Sequence, residues 1–314
     1  MSVPLISVLM SVRNGLPYVE STIASILGQS IADFEFVIVD NSSTDDTWTV
    51  LERAAASDDR VRLIRNETNC THSGGLNRGL EECRGTWVAR MDADDLALPN
   101  RFERQIGFLT RNPDVTVTSC LAFYIDQQGK EVGKTEHDLT TREAFEDYRR
   151  KGLAIGILHP GAMIDRERLL KTGGYRSAFD PANDIDLWGR MVDEGALILV
   201  QPEYLMKYRV HPGSETSQDF ERIRLKYQWA RDCMRARRAG RAEQDWDAYV
   251  EERRNAPWWK RANRWRKTQA RRLYRQSAQN LVGQRIPRAA AEFGIATLLQ
   301  PLYTIPRLLK QRPR

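Results

Sequence analysis

The sequence predicts an α/β protein: a mostly parallel sheet flanked by helices, followed by a basic, α-helical C-terminal extension. Three observations carry this. Four short apolar runs alternate with three segments of helical periodicity in the first ninety or so residues, the pattern of successive βα units. The runs are almost continuously apolar, as strands buried on both faces are. Charge also divides the chain: residues 221–314 hold 24 Lys and Arg against 8 Asp and Glu, a local +16, whereas residues 1–220 carry −10.

Residues 5–12 (LISVLMSV) break at Asn14-Gly15 and read as a buried parallel strand. Pro17 suits a first helical turn, and Val19, Ile23, Ile26 and Leu27 follow at helical spacing. Residues 34–39 (FEFVIV) form a second strand ending in Asp40. The run 41–46 (NSSTDD) is rich in capping residues and precedes a helix over 48–56. A third strand covers 61–64. Gly74-Gly75 opens a helix through Leu76, Leu80 and Cys83, and Gly85 stops it. Residues 87–91 (WVARM) then end in three carboxylates, Asp92, Asp94 and Asp95.

In a parallel sheet the C-terminal strand ends converge on one crevice, where ligands bind. Here those ends carry Ser11 to Asn14, then Asp40-Asn41, then Asp92-Ala93-Asp94. Residues two apart in extended backbone point the same way, so Asp92 and Asp94 face one pocket. Two hard oxygen ligands on one side suit a divalent cation that also holds a diphosphate. The tripeptide does not decide alone, since Asp-x-Asp recurs at Asp184–Asp186 and Asp245–Asp247. A solvated turn that caps the next helix competes for Asp92 and Asp94, with Asp95 a cap or supporting acid, and a helix cap is an equal alternative for Asp40.

The stretches ISVLMSVRNGLPYVESTIASILGQS, FEFVIVDNSSTDDT and LNRGLEECRGTWVARMDADD, in this order and spacing, resemble the nucleotide-binding half of family 2 glycosyltransferases. Those are inverting enzymes of the GT-A fold. The resemblance implies a catalytic domain over residues 1–219, with a nucleotide-sugar-binding half at 1–112 and an acceptor half at 113–219. It implies that Asp40 contacts the donor's uracil or ribose, with Ser11 and Asn14 beside it. Asp92 and Asp94 become the DxD motif, Asp94 ligating a Mg²⁺ or Mn²⁺ that bridges the donor phosphates. Asn41 departs from the pattern, because the family often has a second acid there.

Residues 99–112 form an amphipathic helix (Phe102, Ile106, Leu109), and 115–124 alternate as a strand. A turn at residues 126–129 leads into a short partner strand, a hairpin at the sheet's edge. Residues 140–151 read as a charged surface helix. The small-residue stretch 153–163 runs close to the site and contains His159, a structural residue or an acceptor contact.

Asn183 is a good N-cap, which sets Asp184 in the first turn of a helix running through Val192. The resemblance continues here. The family places its general base in an acidic pair followed by x-D-L-W, which maps the base onto Asp184, with Asn183 where Glu is usual. At about 100° per residue Asp186 points about 200° away, so one of the two faces the pocket, and Asp184 is the choice. Asp186 stays a rival, as does a purely dipole-stabilising role for both acids. Trp188, one turn on, either packs or lines the acceptor pocket.

After a short strand at 196–200, the run Tyr208-Arg209-Val210-His211-Pro212-Gly213-Ser214 is similar to the family's Y-R-x-H-x-x-S element. That implies Arg209 on the donor diphosphate and His211 on the diphosphate or the metal. A satisfied loop histidine is the alternative.

From residue 220 the character changes. Phe220, Ile223, Tyr227, Ala230 and Met234 recur at helical spacing and pack a face onto the catalytic domain. Farther on, Trp258, Trp259 and Trp265 stand among Lys260, Arg261, Arg264, Arg266 and Lys267. Rings with cations suit an anionic membrane surface, ahead of nucleic acid, a solvated arm or a partner protein. The apolar stretch 293–305 is too short to span a bilayer and is interrupted by Pro301. The four cysteines lack any C-x-x-C pair and read as reduced thiols of a cytoplasmic protein, peripherally bound at the inner face of the cell membrane.

The implied activity is sugar transfer from a nucleotide-diphospho-sugar to a saccharide or lipid-linked acceptor, in cell-surface polysaccharide or glycolipid synthesis. A sugar nucleotidyltransferase needs a Gly-rich, Arg-containing loop after the first strand, and SVRNGLPYVE offers one Gly. A dinucleotide-dependent dehydrogenase lacks its G-x-G-x-x-G. A catalytically degenerate transferase fold that binds membranes or partners is the reading from another class, kept open by Asn41 and Asn183.

Overall fold

The computed structural model of the chain describes residues 3–211, 213, 219–282 and 285–310. Strands β1 (Ile6–Val12), β2 (Phe34–Asp40), β3 (Val61–Arg65) and β4 (Trp87–Arg90) alternate with helices α1 (Val19–Leu27), α2 (Thr47–Ser57) and α3 (His72–Glu82). Every residue of β1 and β2 is buried, which is why their sequences are apolar without alternation. The four strands are parallel, and the register pairs Val12 with Asp40 at the C-terminal end. The Met91 amide donates to the Leu9 carbonyl, so the chain leaving β4 emerges beside the end of β1.

The second half adds β5 (Leu96–Ala97), α4 (Arg101–Arg111), β6 (Val115–Ile125), β7 (Glu131–Lys134) and α5 (Arg142–Arg150). It continues with β8 (Met163–Asp165), α6 (Arg166–Lys171), α7 (Asn183–Asp193) and β9 (Leu197–Arg209). Among the described residues nine strands form one sheet in the order β3-β2-β1-β4-β8-β6-β9-β5, with β7 hydrogen-bonded to β6. The predicted hairpin exists as β6–β7, but β6 itself is interior, flanked by β8 and β9.

The strand expected at 196–200 runs on to Arg209, parallel to β6. Gln201, Pro202 and Glu203 hide this continuity in the sequence. The register jumps from Cys120↔Gln201 to Leu121↔Tyr204, so Pro202 sits in an irregularity where its missing N–H costs no ladder bond. This extension brings Arg209 to the acidic end of β4. The strands β5 and β8 hold two and three residues and leave no periodicity to read.

Several glycines act through proximity rather than turn conformation. Helix α3 begins at His72, two residues before the predicted opening, with the Thr71 hydroxyl capping the Gly74 amide. Gly75 and Gly79 instead let α3 lie close on the sheet: a Cβ on Gly75 would sit 2.3 Å from Ser11 Oγ, and one on Gly79 2.4 Å from Leu9 Cδ1. Gly85, expected as a helix stop, faces the β1 backbone, where a Cβ would lie 2.5 Å from the Ser7 amide nitrogen. Backbone cannot rotate away as a side chain can. Gly85→Ala is therefore expected to cost about 3 kcal/mol in urea unfolding, at the upper end for overpacking. A loss below 0.5 kcal/mol, the size of an ordinary surface change, would refute the tight approach.

The chain forms two compact units, one of residues 1–218 with 225–243, the other of 219–224 with 244–314. Helix α8 (Phe220–Arg238) contributes to the first unit through buried Trp229, Ala230, Cys233 and Met234. Trp229 stacks on Phe179 with centroids 4.1 Å apart. The second unit contains α9 (Trp246–Asn255), α10 (Trp258–Val282), α11 (Ile286–Leu299) and α12 (Pro301–Lys310). Among the described residues no helix is long and apolar enough to cross a membrane.

Candidate functional site

The site is built on the turn that follows β4. Asp92, Asp94 and Asp95 each offer a carboxylate oxygen, all within 4.8 Å of one another. Burial and the neighbouring Asp92 charge push the Asp94 carboxyl above its ordinary range, while His211 opposes this. Asp95 is 1% exposed; it accepts the Arg209 amide at 2.8 Å, and its second oxygen has no protein partner. Burial, then Asp94 and Asp92, raise its pKa strongly. Crowded, partly desolvated carboxylates of this kind favour a cation among them. The three acids come from a turn rather than from the extended backbone that their spacing predicts, since β4 ends at Arg90.

Buried cations hold that turn from below. Arg90, the last residue of β4, is fully buried and donates to Asp92 Oδ1 at 2.5 Å. The same nitrogen lies 3.0 Å from His72 Nε2, the first residue of α3. Burial and the Arg90 charge lower the His72 pKa, so a neutral imidazole accepts from the guanidinium. Arg101 is also fully buried and donates to the Arg90 carbonyl at 3.0 Å; burial brings its pKa down to about 10. Neither arginine figured among the sequence candidates. The available signal is Arg90 itself, a cation set inside an otherwise apolar strand.

Arg209 and His211 reach the turn from β9. His211 Nε2 lies 3.0 Å from Asp94 Oδ2, and its ring packs 5.2 Å from that of Tyr18. Arg209 is buried, and its guanidinium donates to the carbonyls of Asp94 (2.8 Å), Asp126 (3.0 Å) and Gln127 (3.3 Å). It also lies over the Tyr18 ring at 4.4 Å. The residue expected on a diphosphate thus braces the acidic turn against β9. Pro212 and Ser214 of the same element lie outside the described residues.

The ends of β1 and β2 form the adjoining wall. Asn14, at φ 54°, accepts the Thr44 amide at 2.8 Å and donates its own amide to Ser43 Oγ at 2.9 Å, so it latches the loop after β2. Ser11 is buried under Gly75. Asp40 is fully buried; its carboxylate accepts the Ser43 amide at 3.3 Å and lies 3.7 Å from Arg65 Nε. It caps no helix, since α2 starts only at Thr47. A cavity of about 480 Å³ opens here, lined by Ser42, Ser43, Arg65, Asn66 and Glu67. Asn41 clamps the loop before α3: its Oδ1 accepts the Cys70 amide at 3.0 Å and its Nδ2 donates to the Cys70 carbonyl at 2.5 Å. A carboxylate could not make that second bond.

Helix α7 supplies the remaining acid. Asn183 is its first residue, not its cap, and the side chain donates to Ser73 Oγ at 2.8 Å. Ser73 is also fixed by Asp180, which accepts both its amide (3.1 Å) and its hydroxyl (2.5 Å). Asp184 is half-buried, and one of its oxygens accepts the Ile185 amide at 2.8 Å. Burial raises its pKa from 3.8 to about 7; the Asp92 charge adds to this, while the Ile185 and Asp184 amides and Arg90 oppose it. Asp186 points elsewhere, as the 200° rotation requires. It is 2% exposed and paired with Arg176 and, at 2.9 Å, with Arg190. Its two cations make it a brace for α7, not a base.

His159 lies 3.0 Å from the Tyr175 hydroxyl, and burial followed by the charges of Arg90 and His72 keeps it neutral. Its ring meets that of Trp188 at 5.9 Å. Trp188 is fully buried, so it backs His159 and offers no surface to an acceptor. Of the sequence candidates, Asp92, Asp94 and His211 converge on one turn, and the Asp92 field reaches Asp184. Asp40, Ser11 and Asn14 shape the wall beside the cavity, and Asp186, Trp188 and Arg209 pack the scaffold.

The chain matches the family model described as glycosyl transferase family 2 over residues 7–173. It is 31% identical over 227 residues to the putative glycosyltransferase EpsE of Bacillus subtilis (strain 168), covering 71% of this chain and 78% of that protein. Over 216 residues it is 31% identical to the O-antigen biosynthesis glycosyltransferase WbnJ of Escherichia coli, covering 66% of this chain and 80% of the relative. Among solved structures it resembles S. aureus TarS 1–349 in complex with UDP-GlcNAc, with a TM-score of 0.59 at 14% identity over 94% of this chain and 92% of that one. It likewise resembles the mannosyltransferase PcManGT from Pyrobaculum calidifontis in complex with GDP-Man and Mn²⁺, with a TM-score of 0.57 at 19% identity over 98% of this chain and 81% of that one. At such identities the structural likeness concerns the fold.

Proposed function

The chain belongs to glycosyl transferase family 2 and has the GT-A fold, and from that premise we propose an inverting sugar transfer from a nucleotide-diphospho-sugar to an acceptor hydroxyl in surface-polysaccharide synthesis. One observation carries the reading: three carboxylates within 4.8 Å of one another close a core strand, and the charge of one of them, Asp92, reaches the half-buried Asp184. The relative named for O-antigen biosynthesis supports the pathway class, and neighbours solved with UDP-GlcNAc and GDP-Man support the donor class.

The acidic turn fits a divalent cation, Mg²⁺ or Mn²⁺. Its donors are hard oxygens, burial and the Asp92 charge raise Asp94, and one Asp95 oxygen is buried without a partner. Asp94 and Asp92 would hold the ion, with His211 against Asp94; the bound ion supplies charge neutralisation for the leaving diphosphate. Arg90 and Arg209 keep the turn in place. Asp184 accepts the proton of the acceptor hydroxyl as that oxygen bonds to the anomeric carbon and the carbon–phosphate oxygen bond breaks. Attack from the opposite face inverts the centre in one step, without a covalent intermediate.

Asn41 and Asn183 stand where acids are usual, and their bonds support an active site over a degenerate one. Each amide has a structural bond of its own, and both Asp40 and Asp184 are retained. A panel of UDP-, GDP- and dTDP-sugars, assayed for nucleotide diphosphate release with Mg²⁺ or Mn²⁺ and with EDTA, tests the reading. Metal-dependent release from one donor, with an inverted anomeric product by NMR, is expected. Binding of a donor with no release under any condition would move the chain to the binding-module class.

A further inference from the structure

The second compact unit carries a surface whose chemistry is independent of the catalytic reading. Trp258, Trp259 and Trp265, all in the first two turns or so of α10, are 74%, 57% and 61% exposed. Positions 258 and 265 are seven apart and so share one helix face. On α11 and α12, Leu298 is 85% and Leu302 90% exposed, with Ile295 and Ile305 also open. These two groups belong to one region, because the Arg266 guanidinium donates to the Leu299 carbonyl at the α11–α12 junction. Burying such residues is favourable, and leaving several of them in water on one surface marks an interaction face.

The charge beside these residues says what covers them. Residues 258–310 contain 12 Lys and Arg and one acid, Glu292. That acid is 9% exposed and accepts from Asn280 and Arg288, so it does not offset the surface charge. Lys260, Arg261 and Arg266 are exposed within the tryptophan segment. Indole rings with interleaved cations suit the headgroup zone of a bilayer, where the ring is half-solvated and the cation meets lipid phosphate. The exposed leucines need acyl chains at shallow depth, which nucleic acid does not offer. Among the described residues no helix can span, so the contact is interfacial.

We propose that α10 and the α11–α12 junction dock this chain on an anionic phospholipid surface, with Trp258, Trp265, Leu298 and Leu302 inserted and Lys260, Arg261 and Arg266 on the headgroups. The full chain should sediment with vesicles containing 30% phosphatidylglycerol and not with pure phosphatidylcholine, and its tryptophan emission should shift to the blue. Joint Trp258→Ser, Trp265→Ser and Leu302→Ser substitution should weaken partitioning at least about tenfold. Lys260→Gln and Arg261→Gln should each weaken it about fivefold at low salt. Because these side chains are exposed, donor turnover should persist in every variant, which separates loss of docking from loss of fold. Equal binding to neutral vesicles, unchanged partitioning of the triple variant, or capture by duplex DNA without vesicle binding would each overturn the proposal.

Discussion

Asp184→Asn is expected to reduce sugar transfer by about 10²–10⁴-fold, the range for removal of a positioned general base, while donor binding is unchanged. An amide can keep the hydrogen bond from Ile185, but it cannot take the acceptor's proton. The pH profile follows from the same group. With its pKa raised to about 7, Asp184 is protonated and idle below that pH, so kcat/KM should rise about tenfold per pH unit toward 7 and level off above it. Stability runs the other way. The folded chain keeps this proton up to about pH 7, whereas the unfolded chain releases it near 3.8, so the folded state binds more protons between those values. Ionising Asp184 in place therefore costs stability progressively as pH rises through that window, at most about 4 kcal/mol. The Asn variant escapes this cost and should melt higher than the parent at pH 8 and by less at pH 5. Calorimetry at both pH values, with single-turnover transfer assays, checks the pair of effects. Near-full transfer by Asp184→Asn would remove the residue from the reaction whatever its melting temperature.

The elements whose physics is local were readable from the chain. β1 to β4 announce themselves because strands buried on both faces must be apolar throughout, and their polar ends then mark the crevice. The opposition of Asp184 and Asp186 follows from helix geometry alone, and the ion pairs on Asp186 agree with it. Residues whose roles depend on long-range pairing were not readable. Asn183 looks like a cap because capping is the local use of Asn, but its side chain is claimed by Ser73, 110 residues earlier. Arg209 reads locally as a cation for phosphate, and its hold on the acidic turn becomes visible only when β9 runs on and sets its amide against Asp95, 114 residues away, and its guanidinium against the Asp94 carbonyl. The role of Arg90 is not readable locally, because a cation in a buried strand has no local explanation; its partners, Asp92 and His72, become visible only when the turn and α3 are in place. The exposed tryptophans of α10 gave their signal in composition, since aromatics among cations are informative before any contact is known.

Asp94→Asn should abolish metal-dependent donor binding while leaving the apo chain folded. Asp94 sits where burial and the Asp92 charge already oppose its ionisation, so the amide relieves repulsion and apo stability should hold or rise slightly. With a divalent cation the sign reverses. Removal of even a supporting partner costs roughly 10–100-fold in metal affinity, so loss of a direct ligand should cost at least about 100-fold. At an ion concentration near 100 Kd the parent gains about 2.7 kcal/mol from binding, and the variant should gain almost none of it. Thermal melts with and without Mn²⁺, followed by titration with nucleotide diphosphate, separate this from simple damage. Asp95→Asn is the informative contrast: its Oδ1 can still accept the Arg209 amide, and the carboxylates of Asp92 and Asp94 remain. It should keep most of the metal response. If Asp94→Asn kept the full metal-induced stabilisation, the three carboxylates would be a solvated, self-repelling turn, and the donor phosphates would have to be held by other groups.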